Sequence, residues 1–142
     1  MIPHAPAIAA QECTRRLALV EEAQQSARLE PAQAHTLRRC WLAIAAACGA
    51  HRELPQLVCH TKLAFPPERA GEPAVLHYAP EDFIHRSAWQ GELRRALATA
   101  RGKARDDASA ANCRRVAVLL IIAIAAGVVP MPTSAAPERI AA

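Results

Sequence analysis

Fourteen consecutive residues, VAVLLIIAIAAGVV from Val116 to Val129, carry no polar side chain, and Arg114-Arg115 precede them while Pro130 and Pro132 follow. Such a run belongs either in lipid or in a protein core. A helix rises 1.5 Å per residue, so fourteen residues span about 21 Å, short of a hydrocarbon core of roughly 30 Å. Extension to Pro132 gives about 25 Å, the bottom of the usable range. Four of the fourteen are Ala and one is Gly, and these add little to insertion free energy. The expected arrangement is therefore a helix apolar on all faces, surrounded by the other helices of a bundle. A short tail anchor over residues 116–132, with Arg114-Arg115 as its cytoplasmic flank, is the alternative. A buried strand is a third option, since seven of the fourteen are Val or Ile.

What surrounds the run follows from composition. Alanine supplies 34 of the 142 residues and aromatic side chains only five. Ala is the strongest helix former and buries little area, so the core should consist of thin, closely packed helices. The expectation is an all-α fold: a compact bundle of about four main helices with a Pro-rich irregular middle segment. Residues 1–132 form one helical domain with an irregular excursion at about 50–80, and residues 133–142 form a loose tail.

Periodicity places the helices. The first covers 7–29, with Cys13, Leu17, Val20 and Ala27 on its apolar face, and Glu12 stands four residues before Arg16, a favourable helix pair. The second runs from Pro31 to Gly49, with the stripe Leu37, Trp41, Ile44, Cys48. Five of the eleven prolines then fall between residues 50 and 80. PQLVCHTKLAF from Pro55 suggests a short helix, PPERAGEP from Pro66 a loop, and AVLHY from Ala74 an extended stretch. Pro80-Glu81-Asp82 suits the start of a third helix, because carboxylates favour the positive end of the helix dipole. That helix turns Ile84, Ala88, Trp89, Leu93, Ala96, Leu97 and Ala100 inward and ends near Arg101, where Gly102 weakens it. Asp106-Asp107 start a fourth helix on the same dipole logic, ending before Pro130.

The chain carries a formal charge of +4, with fifteen Arg against two Lys. Arg pairs bidentately with carboxylates and phosphates, which suits nucleic acid or an acidic protein surface. Such a bias is also what a GC-rich genome encodes. The charge is uneven: residues 86–115 hold eight cations and three carboxylates, net +5. Arg94, Arg101 and Arg105 stand at i, i+7 and i+11 and share a face if the helix continues past Gly102. With Arg95 and Lys103 they are the candidate phosphate contacts, able to neutralise a backbone without reading bases. The competing reading is a solvated face opposite the core. One repetition accompanies this. Arg-Arg precedes small or apolar residues four times, at Arg15-Arg16, Arg38-Arg39, Arg94-Arg95 and Arg114-Arg115. The spacing is irregular, so composition alone explains it. If it has meaning, it puts basic pairs on several helices of one bundle.

Other chemistry is weakly signalled. Cys48, His51, Cys59 and His60 offer metal-binding side chains, with Cys40 or His77 to complete a set. Zinc sites normally use two spaced pairs, whereas Cys59 and His60 are adjacent and diverge. A Cys59–His77 dyad has no local signature behind it. Glu81 and Asp82 read as helix-start charges rather than an acid/base pair. The five glycines, at 49, 71, 91, 102 and 127, do not cluster into a phosphate loop. The N-terminus lacks a basic region and an apolar stretch, so no secretory signal is read there. Five cysteines without framework spacing suit reduced, buried thiols and a cytoplasmic location.

The functional expectation is a non-catalytic small basic helical subunit, without cofactor or small-molecule substrate. Its partner would be a larger protein or ribonucleoprotein assembly, with sequence-independent contacts to a nucleic-acid backbone. In general look it resembles the small basic helical subunits of bacterial RNA-guided effector complexes, a likeness of fold class alone. A small tail-anchored membrane protein is the alternative.

Overall fold

The structure, a computed structural model, describes residues 4–64 and 74–131, and within these it leaves aside the side chains of 59–64 and 74–76. The expected loop PPERAGEP and the expected loose tail 133–142 lie outside the described residues.

The protein is an all-α bundle, with four α-helices among the described residues: α1 (Ala5–Gln25), α2 (Pro31–Ala47), α3 (Arg86–Asp106) and α4 (Ala110–Ala125). Consecutive helices pack on one another, and α4 returns onto α1, so the four close into a ring. The core inside it is built from Trp41, Ile44, Leu93, Leu119 and Ile122, closed in by Ala9, Ala43, Ala45, Ala96 and Ala123, all buried. Small side chains at the helix crossings let these elements approach closely, as the alanine content requires.

Backbone geometry sets the ends. Ala27 closes α1 at φ 59°, and Gly49 closes α2 at φ 77°, where Ala50 N donates back to Ala45 O at 3.1 Å. Between α2 and α3 the expected helix from Pro55 is absent. Pro55–Leu57 is a single 3₁₀ turn, followed by strand β1 (Val58–Ala64). Beta-branched Val58 and Thr61 favour extended backbone there. Strand β2 (Ala74–His77), where an extended stretch was expected, pairs with β1 antiparallel, Val58 opposite His77 and Ala64 opposite Ala74. The Pro-rich middle therefore holds a two-stranded ribbon.

Two helix starts also differ from expectation. Pro80–Asp82 forms its own 3₁₀ turn, with Asp82 Oδ2 accepting from Ala79 N at 2.8 Å, and α3 begins only at Arg86. At the other junction Asp106 ends α3 and Asp107 is extended, φ −146°. Ser109 is the N-cap of α4, its hydroxyl accepting from Asn112 N at 3.1 Å. A side-chain cap that satisfies a free helix N–H outweighs the dipole preference of two nearby carboxylates.

The apolar run is split. Residues 116–125 are helical, and Gly127, at φ 77°, turns the chain so that Val128 N donates to Ala123 O at 2.9 Å. Among the described residues no helix is long and apolar enough to cross a membrane. The run is not surrounded on all faces either. Only Leu119, Ile122 and Ala123 of α4 are buried; Ile121 and Ile124 are half-buried and Ala117 is exposed. In a ring of four, each helix has two neighbours and keeps an outer face.

Candidate nucleic-acid interface

Helix α3 continues without a break through Gly102 to Asp106. At 100° per residue Arg94, Arg101 and Arg105 then fall within about 40° of one another. All three are exposed, and none has an ion-pair partner among the described residues. They form a basic ridge. Arg95 and Lys103, the other two expected contacts, do not share it. They sit about a quarter turn or more away, on the flank that faces α1 and α4.

On that flank the structure forms a groove of about 330 Å³, lined by cations from three helices: Arg15 and Arg16 of α1, Arg95 and Lys103 of α3, and Arg115 of α4. Ala96, Ala100 and Leu119, all buried, also line it, along with Leu19, Thr99 and Asn112. Three of the four Arg-Arg pairs thus contribute a side chain to one place. The fourth is structural: Arg38 donates to Gln24 Oε1 at 2.6 Å, and Arg39 donates to the carbonyl oxygens of Phe83 and Asp82.

Two buried carboxylates hold the guanidinium groups. Glu12, 3% exposed, accepts on Oε2 from Arg16 Nε at 2.8 Å and Arg15 Nη1 at 3.4 Å, and also from Arg115. Burial raises the Glu12 pKa, but the hydrogen bonds and charges of Arg115 and Arg16 outweigh it and hold the carboxyl below its usual value. Glu92 accepts from Arg95 Nε at 2.7 Å and Nη2 at 2.6 Å, and from the Trp41 indole at 3.1 Å. The Glu92 hydrogen bond pushes the Arg95 pKa up. Arg16 lies over the Trp41 ring, 4.6 Å from its centroid, which joins the two clusters. One polar chain therefore runs Arg115, Glu12, Arg16, Trp41, Glu92, Arg95 and touches all four helices.

The groove remains strongly positive. Five cations face it against the two carboxylates beneath, a local balance of +3. Burial first, and after it the charge of Arg115, lowers the Arg15 pKa, while Glu12 opposes the shift. Lys103 has no ion-pair partner among the described residues. Sequence reasoning missed Arg15, Arg16 and Arg115 as site residues. The Arg-Arg repetition was the signal for them, but only the closed ring shows which pairs meet.

The remaining candidates take other roles. Cys48 is buried, its thiol 3.6 Å from Ile122 O. His51 stacks on His77, ring centroids 4.6 Å apart, with Nε2 at 2.9 Å from Tyr78 O, and so fastens the ribbon to the end of α2. The Cys59 and His60 side chains, and with them the Cys59–His77 dyad, lie outside the described residues. No group of three His, Cys, Asp or Glu among the described residues is placed to hold a metal. Glu81 accepts from Arg86 Nε at 2.9 Å.

The chain matches no protein-family model, no curated protein and no solved structure.

Proposed function

We propose that this protein is a non-catalytic helical subunit that binds the phosphate backbone of a nucleic acid through α3 and docks on a larger protein or ribonucleoprotein assembly. The observation that carries this reading is the ridge of Arg94, Arg101 and Arg105 on α3, which has no ion-pair partner among the described residues. Such exposed cations can displace condensed counterions from a polyanion, and they do so without reading bases. The half-buried apolar residues Ile121 and Ile124, on the outer side of α4, supply a surface for a protein partner. A reducing, cytoplasmic setting fits the free thiols of Cys13, Cys40, Cys48 and Cys113.

The test is binding of a labelled single-stranded oligonucleotide measured by anisotropy across a salt series. Log affinity should fall linearly with log salt. Arg94→Ala/Arg101→Ala/Arg105→Ala should make the slope shallower by about 2, at roughly 0.7 for each phosphate no longer neutralised. Absent or salt-insensitive binding overturns the reading.

A further inference from the structure

We infer that the groove between α1, α3 and α4 is a pocket for a terminal phosphate monoester, the end of a polynucleotide strand whose backbone follows the α3 ridge. The inference rests on the backbone-binding reading and gives it a direction. Charge and donors point to a monoester. A monoester carries close to −2 at neutral pH and presents three acceptor oxygens, whereas an internal diester carries −1. The groove offers a matching excess: five cations over two carboxylates that are already engaged from below.

The guanidinium groups are arranged for it. Each of Arg15, Arg16 and Arg115 reaches Glu12 through a single nitrogen. A guanidinium has five N–H donors, so most remain available to an anion. Glu12 thus orients three forks in advance of any ligand. Lys103 adds an ammonium with no ion-pair partner, and the Thr99 hydroxyl one turn before it lines the same wall, neither held by a side-chain bond among the described residues. The volume of about 330 Å³ lies at the lower end of the range for small-ligand sites, the scale of a single nucleotide. Leu19, one of two large apolar side chains left exposed among the described residues, stands beside the cations. It is placed to cover the sugar or base attached to the phosphate. On the same helix Arg95 stands about a quarter turn and Lys103 about half a turn from the ridge, so a strand leaving the pocket has to bend round α3 to meet Arg94, Arg101 and Arg105.

The pocket reports on itself. Arg16 lies over Trp41 and Arg95 shares Glu92 with the Trp41 indole, so a ligand drawing on either perturbs Trp41 emission. The full chain is titrated with one oligonucleotide sequence in three forms, 5′-phosphorylated, 3′-phosphorylated and with hydroxyls at both ends, and with a nucleoside monophosphate. The expected result is at least tenfold tighter binding of one phosphorylated form over the hydroxyl form, accompanied by a change in Trp41 fluorescence. Lys103→Ala/Thr99→Ala, which leaves the Glu12 and Glu92 clusters intact, should abolish that preference, so that all three forms bind alike, each more weakly by the loss of one cation. The ridge variant should weaken all three forms equally and keep the preference. Equal affinity for the three forms overturns the pocket and leaves the backbone reading standing. Binding of the monophosphate without any oligonucleotide supports the pocket and overturns the strand. Binding of neither overturns both.

Discussion

Arg115, near the start of α4, donates to Glu12 in the middle of α1, across 103 positions of sequence. This ion pair closes the ring of helices with buried charge. A buried carboxylate is costly to desolvate, and it persists here because three guanidinium groups surround it. The same pair fixes one wall of the basic groove. Stability and the candidate site therefore share their central residues, and a variant that tests one must be chosen to spare the other.

The two tryptophans separate packing from hydrogen bonding. Both are buried, but Trp41 donates to Glu92, whereas the Trp89 indole nitrogen is buried without a partner among the described residues. Trp41→Phe takes a donor from a buried carboxylate and loosens the stack with Arg16. Its cost should exceed that of Trp89→Phe by about 1–3 kcal/mol. Urea midpoints with an unchanged m-value measure the difference, and equal losses would show that the indole bond contributes nothing.

Much of this fold is readable from residue order. Of the stripe Leu37, Trp41, Ile44, Cys48 all but the half-buried Leu37 are buried, and of the inward set Trp89, Leu93, Ala96, Leu97 and Ala100 are buried while Ile84 and Ala88 are half-buried. Arg94, Arg101 and Arg105 share a face because 100° per residue places them so. What failed was local competition. Asp106-Asp107 resembled a helix start, yet Ser109 offered the better cap. PQLVCHTKLAF resembled a helix, yet Pro55 starts only one 3₁₀ turn before Val58 enters a strand. The groove was out of reach for a different reason. Glu12 and Arg16 announce themselves at i and i+4, but the meeting of Arg16, Arg95 and Arg115 depends on α4 returning to α1. No local pattern encodes that return.

Two glycines should respond in opposite directions. Gly91 is an exposed position inside α3 where an added Cβ would meet nothing within 4 Å. Gly91→Ala should stabilise the protein by about 0.5–1 kcal/mol, by restricting the unfolded chain. Gly49 has equal space but holds φ 77° at the end of α2. Gly49→Ala should cost about 1–2 kcal/mol from backbone conformation alone. Thermal or urea unfolding distinguishes the two, and a shift of the same sign in both would contradict the argument.

Thiol reactivity should follow burial. Burial, with the nearby Glu12 charge, pushes the Cys13 thiol up to about 12. Burial alone takes Cys48 to about 12, and burial with Glu92 takes Cys40 to about 11. Cys113 is exposed. Because the thiolate is the nucleophile, iodoacetamide on native protein at pH 8 should mark Cys113 well before Cys13, Cys40 or Cys48. Peptide mapping reads the order, and denaturant should erase it.

Glu12 should also make stability fall in acid. Its folded pKa lies below the ordinary value of 4.5 because Arg115 and Arg16 more than offset the effect of burial. A carboxyl depressed in the folded state binds protons more weakly there than in the unfolded chain. Its stabilisation is therefore complete above the unfolded pKa, declines as pH falls below it, and is gone below the folded pKa. Glu12→Gln keeps the shape but leaves three guanidinium groups without their counter-charge, which should cost about 3 kcal/mol at pH 7. Wild type and variant should then converge between about pH 5 and the acid limit, since wild type loses with its proton what the variant never had. Glu81, exposed and likewise lowered, mainly by its Arg86 hydrogen bond, titrates in both proteins and cancels in the difference. Urea unfolding of the pair at a series of pH values gives the curve directly. A gap that stays constant down to about pH 3 would mean that Glu12 is held by packing, and that the three arginines of the groove are not positioned by its charge.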